Sequence, residues 1–394
     1  MLALGLTETL ALAALAVGAG QGLRRAVPVL ARYDLPAPVL GGLLVAVVVT
    51  LLRRDGQDVL RFDTTLQAPL MIAFFTTIGL GASLRLLRVG GVQVAWFLGI
   101  AMVAAVAQNL LGAGLAAAMG LPPLLGVLAG SVTLTGGPAT GLAFAPLFEQ
   151  AGVSGATVVA VSAAMAGIVM GGLFGGPVAG RIIARRGLHS TGVRAAAAAV
   201  PAGPEYATES GAALLRAVIL ILLAMWVGGY VSRGFAVLGV TLPAYIGAML
   251  AAAVLRNIGD HQPLLHVPVQ AVEDLGAVAL SLFIAMALMT LKLWELADLA
   301  LPLLGLLVAQ ALLLVVLCPL VFRLMGGDFD AAVMSGGFYG FMMGTTANAV
   351  ANMQALTDRY GPAPRAFLVV PLVGAFFIDF ANALLITVFL NVLG

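Results

Sequence analysis

The sequence predicts an all-α polytopic membrane protein made of two inverted-topology repeats, each of five transmembrane helices and one re-entrant hairpin. Three observations carry that prediction. Composition comes first: 62% of the 394 residues are hydrophobic and only 9% are charged, where a soluble domain has about a quarter of its residues charged. Second, the chain repeats itself. Leu35-Pro36-Ala37-Pro38 returns as Leu242-Pro243-Ala244-Tyr245, and Ala107-Gln108-Asn109-Leu110-Leu111 returns as Ala309-Gln310-Ala311-Leu312-Leu313, each roughly two hundred residues on. Third, the basic residues are sided. With the N-terminus outside, fourteen of the 19 Lys and Arg fall on the cytoplasmic side, and only Arg53, Arg54, Arg61, Arg233 and Lys292 fall on the other; the opposite orientation would break the positive-inside rule.

The spans follow from hydropathy. The first repeat, residues 1–183, has apolar stretches near 7–23, 36–52, 67–84, 91–119 and 155–183. The second, residues 213–394, has them near 213–231, 241–255, 272–291, 297–325 and 364–392. A helix needs about 20 residues to cross the hydrocarbon core, so the stretches beginning at Pro36 and Thr241 are short and those near 91 and 297 are long. The short pair and the long pair hold equivalent places, which again argues for duplication. The first span carries Glu8 and no basic residue ahead of it, unlike a cleaved signal peptide, and is read as retained. Residues 184–212, with Pro201, Pro204 and an alanine run, read as a cytoplasmic linker. An odd number of spans per repeat inverts the second against the first and leaves both termini outside, the geometry that alternating access requires.

Two segments are too polar to cross as clean helices. Residues 124–150 break at Thr135-Gly136-Gly137-Pro138-Ala139-Thr140, and residues 331–357 break at Ser335-Gly336-Gly337 and again at Gly344-Thr345-Thr346. Both are expected to be re-entrant hairpins, one from each side, since non-helical backbone at membrane depth survives only where protein or a water-filled cavity covers it. A broken helix offers N–H groups at one end for a carboxylate and C=O groups at the other for a small cation.

Candidate functional groups lie at the same depth. Asp379 sits in the apolar run Ala375-Phe376-Phe377-Ile378-Asp379-Phe380 with Asn382 one turn on, and an intramembrane carboxylate marks function by default, as a cation ligand or as the counter-charge for a substrate ammonium. Asn348 and Asn352, at i and i+4, either line a cavity or join helices. Thr135, Thr140, Thr345 and Thr346 place hydroxyls at the breaks, as ligands or as local caps. Gln108 and Gln310 read as interhelical hydrogen-bond partners, and the row Gly167, Gly171, Gly175 reads as a close-packing face. Catalysis lacks its parts: Cys318 stands alone in an apolar run, and His189, His261 and His266 fall outside the spans. A net charge of +2 gives no footprint for nucleic acid.

Several runs resemble the bacterial sodium/glutamate symporters. The densest is Tyr360-Gly361-Pro362 followed by Ala366-Phe367-Leu368-Val369-Val370-Pro371-Leu372-Val373-Gly374-Ala375-Phe376-Phe377-Ile378-Asp379. Others are Asp330-Ala331-Ala332-Val333, Ala349-Val350-Ala351-Asn352-Met353, Lys292-Leu293-Trp294-Glu295-Leu296 and Gly171-Gly172-Leu173-Phe174-Gly175-Gly176-Pro177. The similarity spans the chain apart from the linker. It implies Na+-coupled symport of L-glutamate or a related acidic amino acid, ten spans with two opposed hairpins, and a homodimer whose hairpin-bearing domain moves as an elevator. It implies no enzyme activity and no organic cofactor, Na+ being the coupling ion.

Carried onto this chain, the substrate-binding positions are Thr135, Gly136, Gly137, Thr140, Gly336, Gly337, Thr345, Thr346, Asn348, Asn352, Asp379 and Asn382. Na+ is expected near Ser131, Thr133, Thr135, Thr346 and Asp379. The family's usual Gly-Gly-His-Gly-Thr reads Gly136-Gly137-Pro138-Ala139-Thr140 here, its His-Cys-Gly reads Phe338-Tyr339-Gly340, its Ala-Thr-Pro-Thr reads Thr345-Thr346-Ala347-Asn348, and Met165 replaces a frequent Thr. The resulting site is drier and less basic. Another small carboxylate, such as a di- or tricarboxylate or a keto acid, therefore stays open as substrate, as does cation/proton exchange.

Overall fold

In a computed structural model, the structure describes residues 2–32, 35–52, 60–85, 91–190, 211–237, 244–260, 267–291 and 300–394. Most of the expected linker, the second Leu-Pro-Ala motif's opening residues, the 292–296 run, and Arg53, Arg54, Arg88, Arg194, His261 and His266 lie outside the described residues.

The described chain is nearly all helix. In order come α1 (Leu6–Ala26), α2 (Pro28–Arg32), α3 (Ala37–Leu52), α4 (Gln67–Gly81), α5 (Gly91–Ala118), α6 (Pro123–Val127), a π turn (Leu128–Val132), α7 (Gly137–Gln150) and α8 (Ala156–Arg186). They are followed by α9 (Gly211–Val237), α10 (Ala244–Gly259), α11 (Val269–Met289), α12 (Ala300–Leu324), α13 (Phe329–Met343), α14 (Thr346–Tyr360), α15 (Pro364–Leu372), a second π turn (Val373–Phe377) and α16 (Ile378–Leu393). A short parallel pair joins Leu2–Ala3 to Leu60–Arg61. Among the described residues, six helices are long and apolar enough to cross a membrane: α1, α5, α8, α9, α11 and α12. The chain is thus a polytopic membrane protein. The two stretches expected to be short form helices of 16 residues each, α3 and α10. The two expected to be long form α5 of 28 and α12 of 25.

The chain divides into two compact units, Met1–Ser83 with Ser210–Leu299, and Leu84–Glu209 with Ala300–Gly394. Each takes helices from both halves of the sequence. The first unit holds α1 to α4 and α9 to α11, packed around two apolar clusters, one centred on Leu80, Ile221, Ala252 and Val272 and one on Ala13, Ala16, Ala285 and Met286. Its helices approach to backbone contact because glycine faces glycine or alanine. A Cβ on Gly41 would stand 1.8 Å from the Ala16 carbonyl oxygen, and one on Gly79 would stand 2.2 Å from that of Met249. Small-residue faces of this kind drive helix association where lipid removes the hydrophobic incentive.

The second unit holds α5 to α8 and α12 to α16. The α13–α14 segment is an antiparallel helical hairpin: Gly340 abuts Ala349, Gly337 abuts Met353 and Gly336 abuts Leu356. Its far end is tied down by Asp328, which caps α13 by accepting from the Ala331 N–H at 2.9 Å and also takes the Arg365 guanidinium. Asp330 accepts from the first-turn N–H groups of Arg365 and Ala366, at 2.9 and 3.2 Å.

One expectation is corrected here. Ser335-Gly336-Gly337 does not break the second hairpin: α13 runs through it, and the only interruption between α13 and α14 is at Gly344-Thr345. The reason is packing. A Cβ on Gly336 would meet Leu356 at 2.9 Å and Ala179 at 3.0 Å, and one on Gly337 would meet Met353 at 2.8 Å, so these glycines serve close helix contact rather than a turn.

Candidate functional site

Two interrupted helices of the second unit meet. In the first, Gly130 (φ −101°, ψ −130°) kinks the chain inside the π turn, and α7 starts only at Gly137, whose φ of +67° favours glycine. Pro138 stands in the first turn of α7, where its missing N–H is harmless. In the second, Thr345 caps α14 by accepting the Asn348 N–H at 3.3 Å. The two interruptions lie together, since a Cβ on Gly137 would be 3.8 Å from the Gly344 carbonyl oxygen.

Gln108 of α5 bridges them. Its Oε1 accepts from the Thr135 hydroxyl at 2.8 Å, its Nε2 donates to the Met342 carbonyl at 2.9 Å, and its own main-chain carbonyl accepts from Gln310 Nε2 at 2.8 Å. Both glutamines therefore have the interhelical role expected of them.

The π turn and α16 reach both interruptions. Thr346 Oγ1 donates to the Gly374 carbonyl at 2.7 Å, at the second break, and Asn382 Nδ2 donates to the Ser131 carbonyl at 2.9 Å, at the first. Asp379 is half-buried on the same turn of α16 as Asn382, and makes no hydrogen bond or ion pair with a described residue. A carboxylate in an apolar helix with no partner is costly unless something binds it.

The α8 glycines receive the second hairpin. Asn348 Nδ2 donates to the Ile168 carbonyl at 2.6 Å and Asn352 Nδ2 to that of Gly171 at 2.9 Å. A Cβ on Gly167 would be 2.5 Å from the Met343 carbonyl oxygen, and one on Gly175 would be 2.1 Å from Asn352 Nδ2. Of the expected site residues, the structure thus brings Thr135, Gly136, Gly137, Thr345, Thr346, Asp379 and Asn382 to the interruptions, with Ser131 and Thr133 in the first. Thr140, buried in the first turn of α7, lies against Gly136 of the first interruption, where a Cβ would stand 2.5 Å from the Thr140 Cβ. Asn348 and Asn352 point their amide nitrogens at α8, and Gly336 and Gly337 lie within α13.

Asn109 escaped the sequence reading. It is fully buried, and its Oδ1 accepts the Ser131 N–H at 2.9 Å. A signal existed: in the repeated Ala-Gln motif, Asn109 is matched by Ala311, so one copy has gained an amide.

Comparison with known proteins agrees with the architecture. The sodium/glutamate symporter family model matches residues 2–362. A sodium/glutamate symporter of Escherichia coli (strain K12) is 43% identical over 394 residues, covering 97% of this chain and 96% of the relative. One of Haemophilus influenzae is 38% identical over 387 residues, covering 97% and 96%. The relatives are named as transporters, not enzymes. With near-complete coverage at this identity, and a membrane fold carrying two interrupted helices where the similar runs fall, the chain belongs to the sodium/glutamate symporter family.

Proposed function

We propose that the protein couples Na+ entry to uptake of L-glutamate or a related acidic amino acid by elevator-type alternating access. The observation that carries the reading is the meeting of two helix interruptions in one unit, where Asn382 reaches the first and Asp379, without a partner among the described residues, stands one turn before it. The helix N-termini at Gly137 and Thr346 supply free N–H donors for carboxylate groups, Thr135, Thr140, Thr345 and Thr346 supply hydroxyls, and Asp379 supplies the charge that a substrate ammonium or Na+ neutralises. Na+ takes oxygens near Ser131, Thr133, Thr135, Thr346 and Asp379. Asn348 and Asn352 fix the second hairpin against α8, and the Gly336-Gly337 contact holds its two arms together.

The substrate and its coupling ion offset one another's charge in a region that admits no isolated charge cheaply. The loaded unit can then cross an apolar barrier that the singly loaded unit cannot, and this couples the two fluxes. The division of the chain supports the elevator reading: every site residue lies in the second unit, and the first contributes none. That each unit takes helices from both halves supports inverted repeats, 1–183 and 213–394, joined by the cytoplasmic linker 184–212, with 124–150 and 331–357 re-entering the membrane from opposite sides. In this reading the protein is a homodimer of the inner membrane with both termini outside.

The test is uptake of labelled L-glutamate into liposomes containing the purified chain, with an inward Na+ gradient, against K+ and against competing carboxylates. Accumulation that needs Na+ and is competed by acidic amino acids supports the proposal. Competition only by di- or tricarboxylates or keto acids transfers the substrate to that class. Na+ flux balanced by protons without any organic solute makes the protein an exchanger and ends the symport reading.

A further inference from the structure

The first helix interruption contains polar atoms that the protein itself leaves unused. Ser131 and Asn382 are both 0% exposed, and both Ser131 Oγ and Asn382 Oδ1 lack a hydrogen-bond partner among the described residues. The two residues are in contact, because Asn382 Nδ2 donates to the Ser131 carbonyl at 2.9 Å. The neighbouring hydroxyl protons are already placed: Thr133 donates to the Leu128 carbonyl at 2.8 Å and Thr135 to Gln108 Oε1 at 2.8 Å. Buried acceptors without partners are costly and rare, and two of them side by side at a helix break, from elements 251 residues apart in sequence, mark a place built for something else.

Resting on the symporter reading, we propose that Ser131 Oγ and Asn382 Oδ1 are ligands of the coupling Na+, and that Asn109 positions Ser131. A hard cation takes neutral and anionic oxygens, and both vacant atoms are oxygens. Asn109 fits the second role. Its Oδ1 holds the Ser131 N–H at 2.9 Å, which sets the orientation of that residue where the helix is interrupted. Its Nδ2 also lacks a partner; a donor cannot ligate a cation, but it can hold a water of the ion's shell. Asp379, one turn before Asn382 and without a described partner, supplies the negative charge that a site of neutral oxygens needs at this depth. Filling the site adds a second link between α16 and the first interruption to the one that Asn382 Nδ2 already makes at the Ser131 carbonyl.

The rival occupant is a permanent buried water, and the two are separable. The purified full chain in detergent is melted over a NaCl series at constant ionic strength with KCl, without organic substrate, as wild type, S131A, S131T and N109A. The hydroxyl of Ser131 has no partner among the described residues, so S131A is expected to melt no lower than wild type in KCl alone. It should need at least about tenfold more Na+ for half of the stabilising shift, and S131T, which keeps a hydroxyl, should restore the response. N109A should raise the half-saturating Na+ by about 10–100-fold, as losing a residue that orients a ligand does at other ion sites. An S131A that melts lower or fails to fold in KCl, or one that keeps the wild-type Na+ response, overturns the assignment. If wild-type liposomes still show Na+-driven glutamate uptake, only the site falls. If the wild type neither shifts with Na+ nor transports, the symporter reading falls with it.

Discussion

At the scale of single residues, Gln108 is the joint between the two interruptions, and its amide is used at both ends. Replacing it with alanine removes the side-chain donor to the Met342 carbonyl and leaves the buried Thr135 hydroxyl only the Met342 sulfur, at 3.8 Å. Gln108→Ala should cost about 1–3 kcal/mol of stability in a denaturation measurement and raise the substrate KM. Asp379 should behave in the opposite way. With no described partner to lose, Asp379→Asn should leave the melting temperature unchanged or slightly raised and abolish Na+-driven accumulation, which uptake and thermal unfolding measured on one preparation will check. Asp63 lies in the stretch before α4, outside the spans. Hydrogen bonding from Thr65, whose N–H donates to Asp63 Oδ1 at 2.9 Å, holds its carboxyl below the ordinary value. A depressed folded pKa contributes stability above the unfolded pKa, and that contribution fades as pH falls through the folded one. Amide exchange at Thr65 should therefore quicken as pH falls below about 4 once the intrinsic pH effect is removed, and Asp63→Asn should flatten the response.

At the scale of elements, glycine sets how close the helices come. Gly126 and Gly112 meet so tightly that a Cβ on the former would lie 1.8 Å from the latter's carbonyl oxygen. The obstacle is backbone, so α5 and α6 must part. Gly126→Ala should cost about 1–3 kcal/mol as overpacking and disturb the contact between Asn109 and Ser131, whereas Gly114→Ala on the same α5, with open space around its Cβ, should be neutral or stabilising. Parallel melting curves decide this. The hairpin's anchored end tests separately: Asp330→Ala frees the first-turn N–H groups of α15 and should lower stability by about 1 kcal/mol.

At the scale of the whole molecule, the two units differ in what they carry. The first is helix packed on helix through small residues; the second holds every interruption, π turn and candidate ligand among the described residues. Saturating Na+ with L-glutamate should therefore protect amides of α6, α7, α13, α14 and α16 from hydrogen exchange by mass action and leave α1, α3 and α9 unchanged. Equal protection across both sets would contradict a site confined to one unit. The strand pair at Leu2 and Leu60 and the Asp63 bond to Thr9 Oγ1 at 3.1 Å belong to the unit expected to stay unchanged.

Hydropathy and repetition are properties of the chain itself, so the sequence alone determined the membrane class, the order of the long apolar helices, and the short and long pairs. Each depends on local composition, which bilayer thickness converts directly into helix length. The tertiary structure decided which polar residues are committed and which are left over. Asn348, Asn352 and Asn382 all spend an amide nitrogen on a main-chain carbonyl, yet of the three only Asn382 has a fully buried amide oxygen without a partner among the described residues. Likewise Ser335-Gly336-Gly337 and Gly344-Thr345 both resemble helix breaks, and only contact with Leu356, Ala179 and Met353 shows that the first is a packing surface. Hydrogen-bond partners in this site stand up to 251 residues apart in sequence, and no local pattern can encode whether a buried oxygen finds one.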